Sequence, residues 1–226
     1  MGRRRNDLLT KNSLTLTEME PLTSSQVKVW DSRKNLMLHG CAGTGKTFIS
    51  CYLALDDLEK GEYKKITIIR SVVPTREMGF LPGTEKEKAR VYEQPYVSIF
   101  QELFGRGDDP YGQLKTKGIV DFITTSHIRG ITLHDSVVIV DECQNMTFHE
   151  LDSIITRLGH NCRLIFCGDF FQSDLRTNGA TGTGINKFMD ILKKMNEFDF
   201  VEFGVADIVR SNLVKSYLVT KYKEGI

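Results

Sequence analysis

The segment Gly40-Cys41-Ala42-Gly43-Thr44-Gly45-Lys46-Thr47 fits the pattern G-x-x-x-x-G-K-[ST] in full. Each position has a physical task. The glycines let the backbone turn with positive φ and aim N–H groups inward around phosphate oxygens. The helix that follows points its positive end at the same anion. Lys46 reaches the β- and γ-phosphates, and the Thr47 hydroxyl is a ligand for Mg²⁺. Gly40, Cys41, Ala42, Gly43, Thr44, Gly45, Lys46 and Thr47 are therefore the expected nucleotide cradle, with ATP and Mg²⁺ as the expected cofactors.

A second set of reactive residues ends a run of β-branched residues. Val137 to Val140 is followed by Asp141 and Glu142. A buried strand that ends in two acids carries both to the C-terminal edge of a sheet, where ligands bind. Asp141 is expected to hold the metal, and Glu142 to take a proton from the attacking water. A third strand ends at Phe166-Cys167-Gly168-Asp169-Phe170-Phe171-Gln172. There Gln172 is either a sensor of the γ-phosphate or a surface glutamine on a turn.

These residues need a scaffold, and the apolar pattern supplies one. Leu36 to His39, Lys65 to Arg70, Val120 to Thr124, Val137 to Val140, Arg163 to Cys167 and Phe198 to Glu202 read as strands. Helices are predicted from Lys46 to about Lys60 (ended by Gly61), Thr147 to Leu158, Gly184 to Met195 and Asn212 to Lys223. Strands alternating with helices predict an α/β fold of three layers, its central sheet mostly parallel and covered on both faces. Between the second and third strands, about 74–117 holds four of the chain's five prolines and is rich in charge. It reads as an insertion or lid with a short helix around Tyr96 to Phe104. The expected organisation is a flexible leader or arm over 1–20, then one domain over 21–226.

Composition sets outer bounds. The 226 residues suffice for a large core without disulfides or a structural metal, and the net charge of +1 confines any nucleic-acid surface to a local patch. Arg3, Arg4 and Arg5 form either a solvated tail or a phosphate-contacting arm. No run is apolar for the length of a membrane span, and no apolar stretch follows the basic start, so neither a membrane segment nor a secretory signal is expected. Cys41, Cys51, Cys143, Cys162 and Cys167 lack C-x-x-C spacing and read as free thiols of a cytoplasmic protein. His127, His134, His149 and His160 lack metal-ligand spacing.

Taken together, the cradle, Asp141-Glu142-Cys143-Gln144-Asn145 and Gly168-Asp169-Phe170-Phe171-Gln172 resemble helicase motifs I, II and III of superfamily 1. The closer resemblance is to the PhoH-like proteins of bacteria and many bacteriophages. Three more segments carry it: Arg76-Glu77-Met78-Gly79-Phe80-Leu81-Pro82-Gly83, Arg129-Gly130-Ile131-Thr132-Leu133 and Ala206-Asp207-Ile208-Val209-Arg210. The resemblance runs from about Leu22 to Asn212. Ser71 and Ala206 depart from it, where many members have proline and glutamate, and neither position belongs to the phosphate site.

The resemblance implies a RecA-like P-loop NTPase core with ATPase activity, in a minimal, phage-type form that lacks flanking RNA-binding and nuclease domains. It also implies residence in the cytoplasm of a bacterial cell or a phage-infected host. By position, Gln26 is similar to the glutamine that reads adenine upstream of motif I. Read from its surroundings alone, it is an exposed residue on a first helical turn capped by Thr23 or Ser24.

Phosphoryl transfer gains about 10³ to 10⁵ in rate from a cation at the γ-phosphate. A two-lobed helicase draws that arginine from its second lobe, for which this chain has no room. Arg210 is the first candidate, unless it pairs with Asp207; Arg176 and Arg157 are held in reserve. An arginine acting in trans requires head-to-tail contacts, which close into rings, so a homo-oligomer, as a hexameric ring, is expected.

Two functions compete. One is an oligomeric ATPase that binds or remodels single-stranded nucleic acid, RNA before DNA, as a helicase-like motor. Its candidate contacts are Arg70, Arg76, Lys86, Lys88 and Arg90, with Tyr92 and Tyr96 as stacking partners. The same cluster reads equally as a solvated face, because Glu77, Glu85 and Glu87 are interleaved with it. The other function is an ATP-dependent switch or regulatory subunit that acts on protein partners without strand separation.

Overall fold

Six strands form one sheet in the order β3-β2-β4-β5-β1-β6, and each neighbouring pair is parallel. The computed structural model describes residues 14–71, 85–105, 109–169 and 184–224, with the backbone alone for 85–89. The strands are β1 (Asn35–Gly40), β2 (Lys65–Arg70), β3 (Val120–Thr124), β4 (Ser136–Asp141), β5 (Cys162–Gly168) and β6 (Phe198–Phe203). The helices are α1 (Ser24–Asp31), α2 (Lys46–Glu59), α3 (Glu85–Leu103), α4 (Pro110–Thr116), α5 (Phe148–Ile155), α6 (Gly184–Leu192) and α7 (Asn212–Lys223).

The three layers follow from alternation along the strands. Leu36, Leu38, Val137, Ile139, Ile165 and Cys167 point to one face, where they pack with α1 to α4. Met37, Val138, Val140, Leu164 and Phe166 point to the other, against α5 and α6. Both clusters are almost wholly closed to solvent, as a parallel sheet requires. The expected α/β class with three layers is thus observed, and the described sheet is wholly rather than mostly parallel.

Helix starts obey local chemistry. Thr23 caps α1 by accepting from Gln26 N, and Thr147 and Glu150 form a reciprocal capping box at α5. The start of α2 is different. Its N-cap is Gly45 at φ 83°, without a side-chain cap and without an acid in the first turn. Its leading N–H groups and the positive end of its dipole are left for an anion.

Two expectations are corrected. The helix placed at Tyr96 to Phe104 begins far earlier, at Glu85, and passes through Pro95; a second helix, α4, follows it. Tyr96, Phe100 and Leu103 recur at helical spacing and bury completely together with Tyr111 and Leu114, so the described part of this stretch is a layer of the core. Residues 14–20, assigned to a flexible leader, lie against that layer. Leu14, Leu16 and Met19 pack on the core, and Thr17 N donates to Leu103 O at 2.8 Å. Residues 1–13 are outside the described residues.

Candidate nucleotide site

The sheet order decides which strand ends meet. β1 delivers the cradle, β4 the two acids, and β5 lies between them. Gly40 closes β1 at φ 114°, and a Cβ built there would lie 2.2 Å from Phe203 O. Only glycine allows the turn out of β1 so close to β6, where Cys41 N donates to Phe203 O at 2.8 Å.

Lys46 is half-buried inside the loop. Its Nζ donates to Gly40 O at 3.0 Å and to Cys41 O at 2.6 Å. Burial pulls its pKa down, and Asp169 pushes back. The ammonium is held by neutral carbonyls inside a concave loop, an arrangement completed by an incoming anion.

Thr47 and Asp141 meet directly: Thr47 Oγ1 donates to Asp141 Oδ1 at 2.9 Å. Asp141 is buried, and its other oxygen accepts from the Tyr96 hydroxyl at 2.7 Å. Glu142 has left-handed backbone, φ 52° and ψ 40°, a costly conformation for a residue with a side chain. Burial raises its carboxyl above the ordinary range, and neighbouring Asp141 raises it further. Gln144 opposes that rise by donating from Nε2 to Glu142 Oε2 at 2.5 Å, while its Oε1 accepts from Asp169 N at 3.1 Å. Arg70 Nη2 lies 3.9 Å from Glu142 Oε1.

These residues fit a nucleoside triphosphate with Mg²⁺. The uncapped α2, the three positive-φ glycines Gly40, Gly43 and Gly45, and Lys46 form an anion cradle. Beside it, a hydroxyl and a carboxylate present hard oxygen atoms. Among the described residues no group of three or more His, Cys, Asp or Glu could hold a metal by itself. A cation that takes one carboxylate and completes its shell with phosphate oxygens matches Mg²⁺.

The remaining candidates fall as follows. Gln26 is on the first turn of α1 but buried. Its Nε2 donates to Thr44 O at 3.2 Å, and its Oε1 accepts from Leu22 N at 2.6 Å. It braces the cradle through Thr44, so the exposed reading is wrong. Arg210 is exposed, its stem lying against Gly43: a Cβ there would be 3.1 Å from Arg210 Cγ. Asp207 turns elsewhere, accepting from Ser25 Oγ at 3.0 Å and from Gly204 N at 2.9 Å. Arg157 follows α5 at the opposite sheet edge, where its carbonyl accepts from Leu133 N at 2.9 Å, and it cannot reach the cradle of its own chain. Gln172, Arg176 and Arg76 lie outside the described residues, as do the Lys86 and Lys88 side chains.

Tyr96, expected to stack on bases, is fully buried and bound to Asp141; its spacing with Phe100 and Leu103 puts it on the inner face of α3. Tyr92 is half-buried under Arg70, whose guanidinium lies 5.7 Å from its ring centroid. Arg90 alone of that cluster is described as exposed.

Sequence reasoning assigned no role to Gln144 or Tyr222. Gln144 stands two residues after Glu142, a spacing that could have suggested contact. Tyr222, on α7, gives no local signal. Its hydroxyl accepts from Ala42 N at 2.7 Å and donates to Asp169 Oδ2 at 3.2 Å. Leu218, Val219 and Tyr222 pack α7 on Cys41 and Ala42.

The family model described as PhoH-like protein matches residues 18–222. A PhoH-like protein of Bacillus subtilis is 36% identical over 187 residues, covering 82% of this chain and 57% of its own length. One from Mycobacterium leprae is 30% identical over 219 residues, covering 96% and 61%. The chain thus spans about three fifths of the length of these relatives. Among solved structures, the large terminase of a thermophilic bacteriophage superposes with a TM-score of 0.55 at 13% identity, covering 88% of this chain and 50% of the terminase. The same terminase in complex with ADP gives 0.54 at 14%, covering 87% and 49%. That likeness is one of fold alone, the three-layer RecA-like arrangement expected from the sequence.

Proposed function

The chain belongs to the PhoH-like protein family, and from that premise together with the site's geometry we propose that it is a magnesium-dependent ATPase. The observation that carries this reading is the 2.9 Å contact between Thr47 of the cradle and Asp141 at the end of β4. Gly40 to Thr47 wrap the phosphates, and Lys46 exchanges its carbonyl partners for the β- and γ-phosphate oxygens. Thr47 and Asp141 hold the metal, which when bound neutralises charge on the transferring phosphoryl group. Glu142, with its raised proton affinity, accepts a proton from the attacking water. Gln172 reads the γ-phosphate, and Gln26 offers its remaining amide hydrogen and lone pair to adenine.

Arg210 supplies the cation at the γ-phosphate, in cis or to a neighbour in a hexameric ring. Its exposed position beside Gly43 is compatible with both. Turnover is coupled to binding or remodelling single-stranded nucleic acid, RNA before DNA. Support for this coupling comes from the helicase-like motif set and from exposed Arg90; Tyr96 is not among its contacts.

A second reading, a nucleotide-operated switch for a protein partner, is favoured by α7. That helix touches the cradle through Tyr222, yet leaves Leu213 and Tyr217 exposed at 81% and 66%.

The test is ATP hydrolysis by the purified chain with and without single-stranded RNA or DNA, using Lys46→Ala and Glu142→Gln as controls. Stimulation by nucleic acid that both substitutions abolish supports the motor. Turnover indifferent to nucleic acid supports the switch, and no turnover in any oligomeric state rejects the ATPase. Sedimentation of a monomer under turnover conditions would reject the ring.

A further inference from the structure

Two tyrosines one turn apart on α3 approach the two acids that end β4. Tyr96, without solvent exposure, donates its hydroxyl to Asp141 Oδ2 at 2.7 Å. Tyr92 lies under the guanidinium of Arg70, whose Nη2 is 3.9 Å from Glu142 Oε1. Residues four apart on a helix share a face, so one face of α3 reaches Asp141 directly and Glu142 only through Arg70.

The Asp141 contact is the tighter. Its two oxygens are divided between two elements: Oδ1 accepts from Thr47 on α2, and Oδ2 accepts from Tyr96 on α3. The donors differ in what binding demands of them. Thr47 can ligate a cation through an oxygen lone pair while its hydrogen stays on Oδ1, whereas Tyr96, on α3 and outside the cradle sequence, holds only the other oxygen. The Tyr96 ring neighbours that of Phe122, with centroids 5.9 Å apart. A ligating carboxylate with one oxygen pinned by an outer hydrogen bond cannot rotate freely, and such partners strengthen metal binding.

We infer that Tyr96 is a positioning residue that pins Asp141 so that Oδ1, the oxygen beside Thr47, faces the cation, making α3 a working part of the nucleotide site. This rests on the ATPase reading above. The competing explanation is that the Tyr96 hydroxyl only satisfies a buried acid for stability.

Metal dependence separates the two. In the full-length chain, ATP affinity would be measured in EDTA, and Mn²⁺ would then be titrated into the ATP-bound protein and followed by electron paramagnetic resonance. Tyr96→Phe keeps the ring. It should leave metal-free ATP affinity unchanged and raise the half-saturating Mn²⁺ concentration about tenfold or more. Phe122→Leu, which loosens the packing of the same ring but spares its hydroxyl, should keep the wild-type Mn²⁺ dependence. Wild-type Mn²⁺ dependence in Tyr96→Phe, or an equal loss in Phe122→Leu, would overturn the inference while leaving the ATPase reading intact. A wild-type chain that binds no ATP would overturn both.

Discussion

Thr47 Oγ1 lies 2.9 Å from Asp141 Oδ1, although 94 residues separate them in the chain. That contact joins the phosphate loop to the strand carrying the acids. It exists because β5 separates β1 from β4 by one strand's width, a gap that the first turn of α2 reaches across. The neighbouring geometry then leads to four measurable consequences.

Glu142 should set the acid limb of the pH–rate profile. Burial and Asp141 raise its carboxyl above the ordinary value of 4.5, so turnover should rise with pH through a midpoint above that value. Gln144 donates to the ionised form and lowers the midpoint. Gln144→Leu should therefore move the limb to higher pH, as read from kcat against pH. The stability sign is opposite. The folded state holds this proton more tightly than the unfolded chain, so ionisation costs stability as pH rises through the window above 4.5. At neutral pH, Glu142→Gln should withstand at least as much urea as the wild type.

Gly40→Ala should fail as a fold variant before it fails as a site variant. The added Cβ would meet the Phe203 carbonyl at 2.2 Å in a backbone held at φ 114°. Relief requires β1 and β6 to part, at a cost of about 3 kcal/mol. Urea unfolding would measure it; a loss below about 1 kcal/mol would contradict the geometry.

Arg163 and Asp57 form a buried pair under the sheet. Arg163 Nη1 donates to Asp57 Oδ2 at 2.6 Å, and Nη2 donates to Ser32 O at 3.0 Å. Burial pushes the Asp57 carboxyl up, and Arg163 pulls it back. Arg163→Met should cost about 3–5 kcal/mol by leaving the carboxylate alone, whereas Asp57→Leu combined with Arg163→Met should recover most of that loss. Thermal unfolding of the single and double variants checks this.

Tyr222 competes for the cradle. Its hydroxyl holds Ala42 N at 2.7 Å, an amide of the phosphate loop. Tyr222→Phe removes that acceptor, and ATP should bind about threefold to tenfold more tightly, the worth of one neutral hydrogen bond. Titration calorimetry would show it. Weaker binding instead would mean that Tyr222 supports the bound nucleotide.

Legibility followed the range of the interactions. The cradle was readable because backbone turns, helix dipoles and a lysine at fixed spacing act within eight consecutive residues. β4 and its two acids were readable because a β-branched run and its terminus are local. The length of α3 was less legible, because the stretch is rich in proline and charge; Pro95 lies inside the helix, which the buried face of Tyr96, Phe100 and Leu103 sustains.

The α/β class, the cradle and the identity of its acids thus needed nothing beyond the order of residues, since each rests on neighbours in the chain. Three pairings needed the folded molecule: Tyr96 faces Asp141 and not solvent, Gln26 braces Thr44, and Tyr222 reaches Ala42 across 180 residues. Such pairings depend on strand order and on which helix faces bury. Those are properties of the whole packed sheet that no single segment encodes.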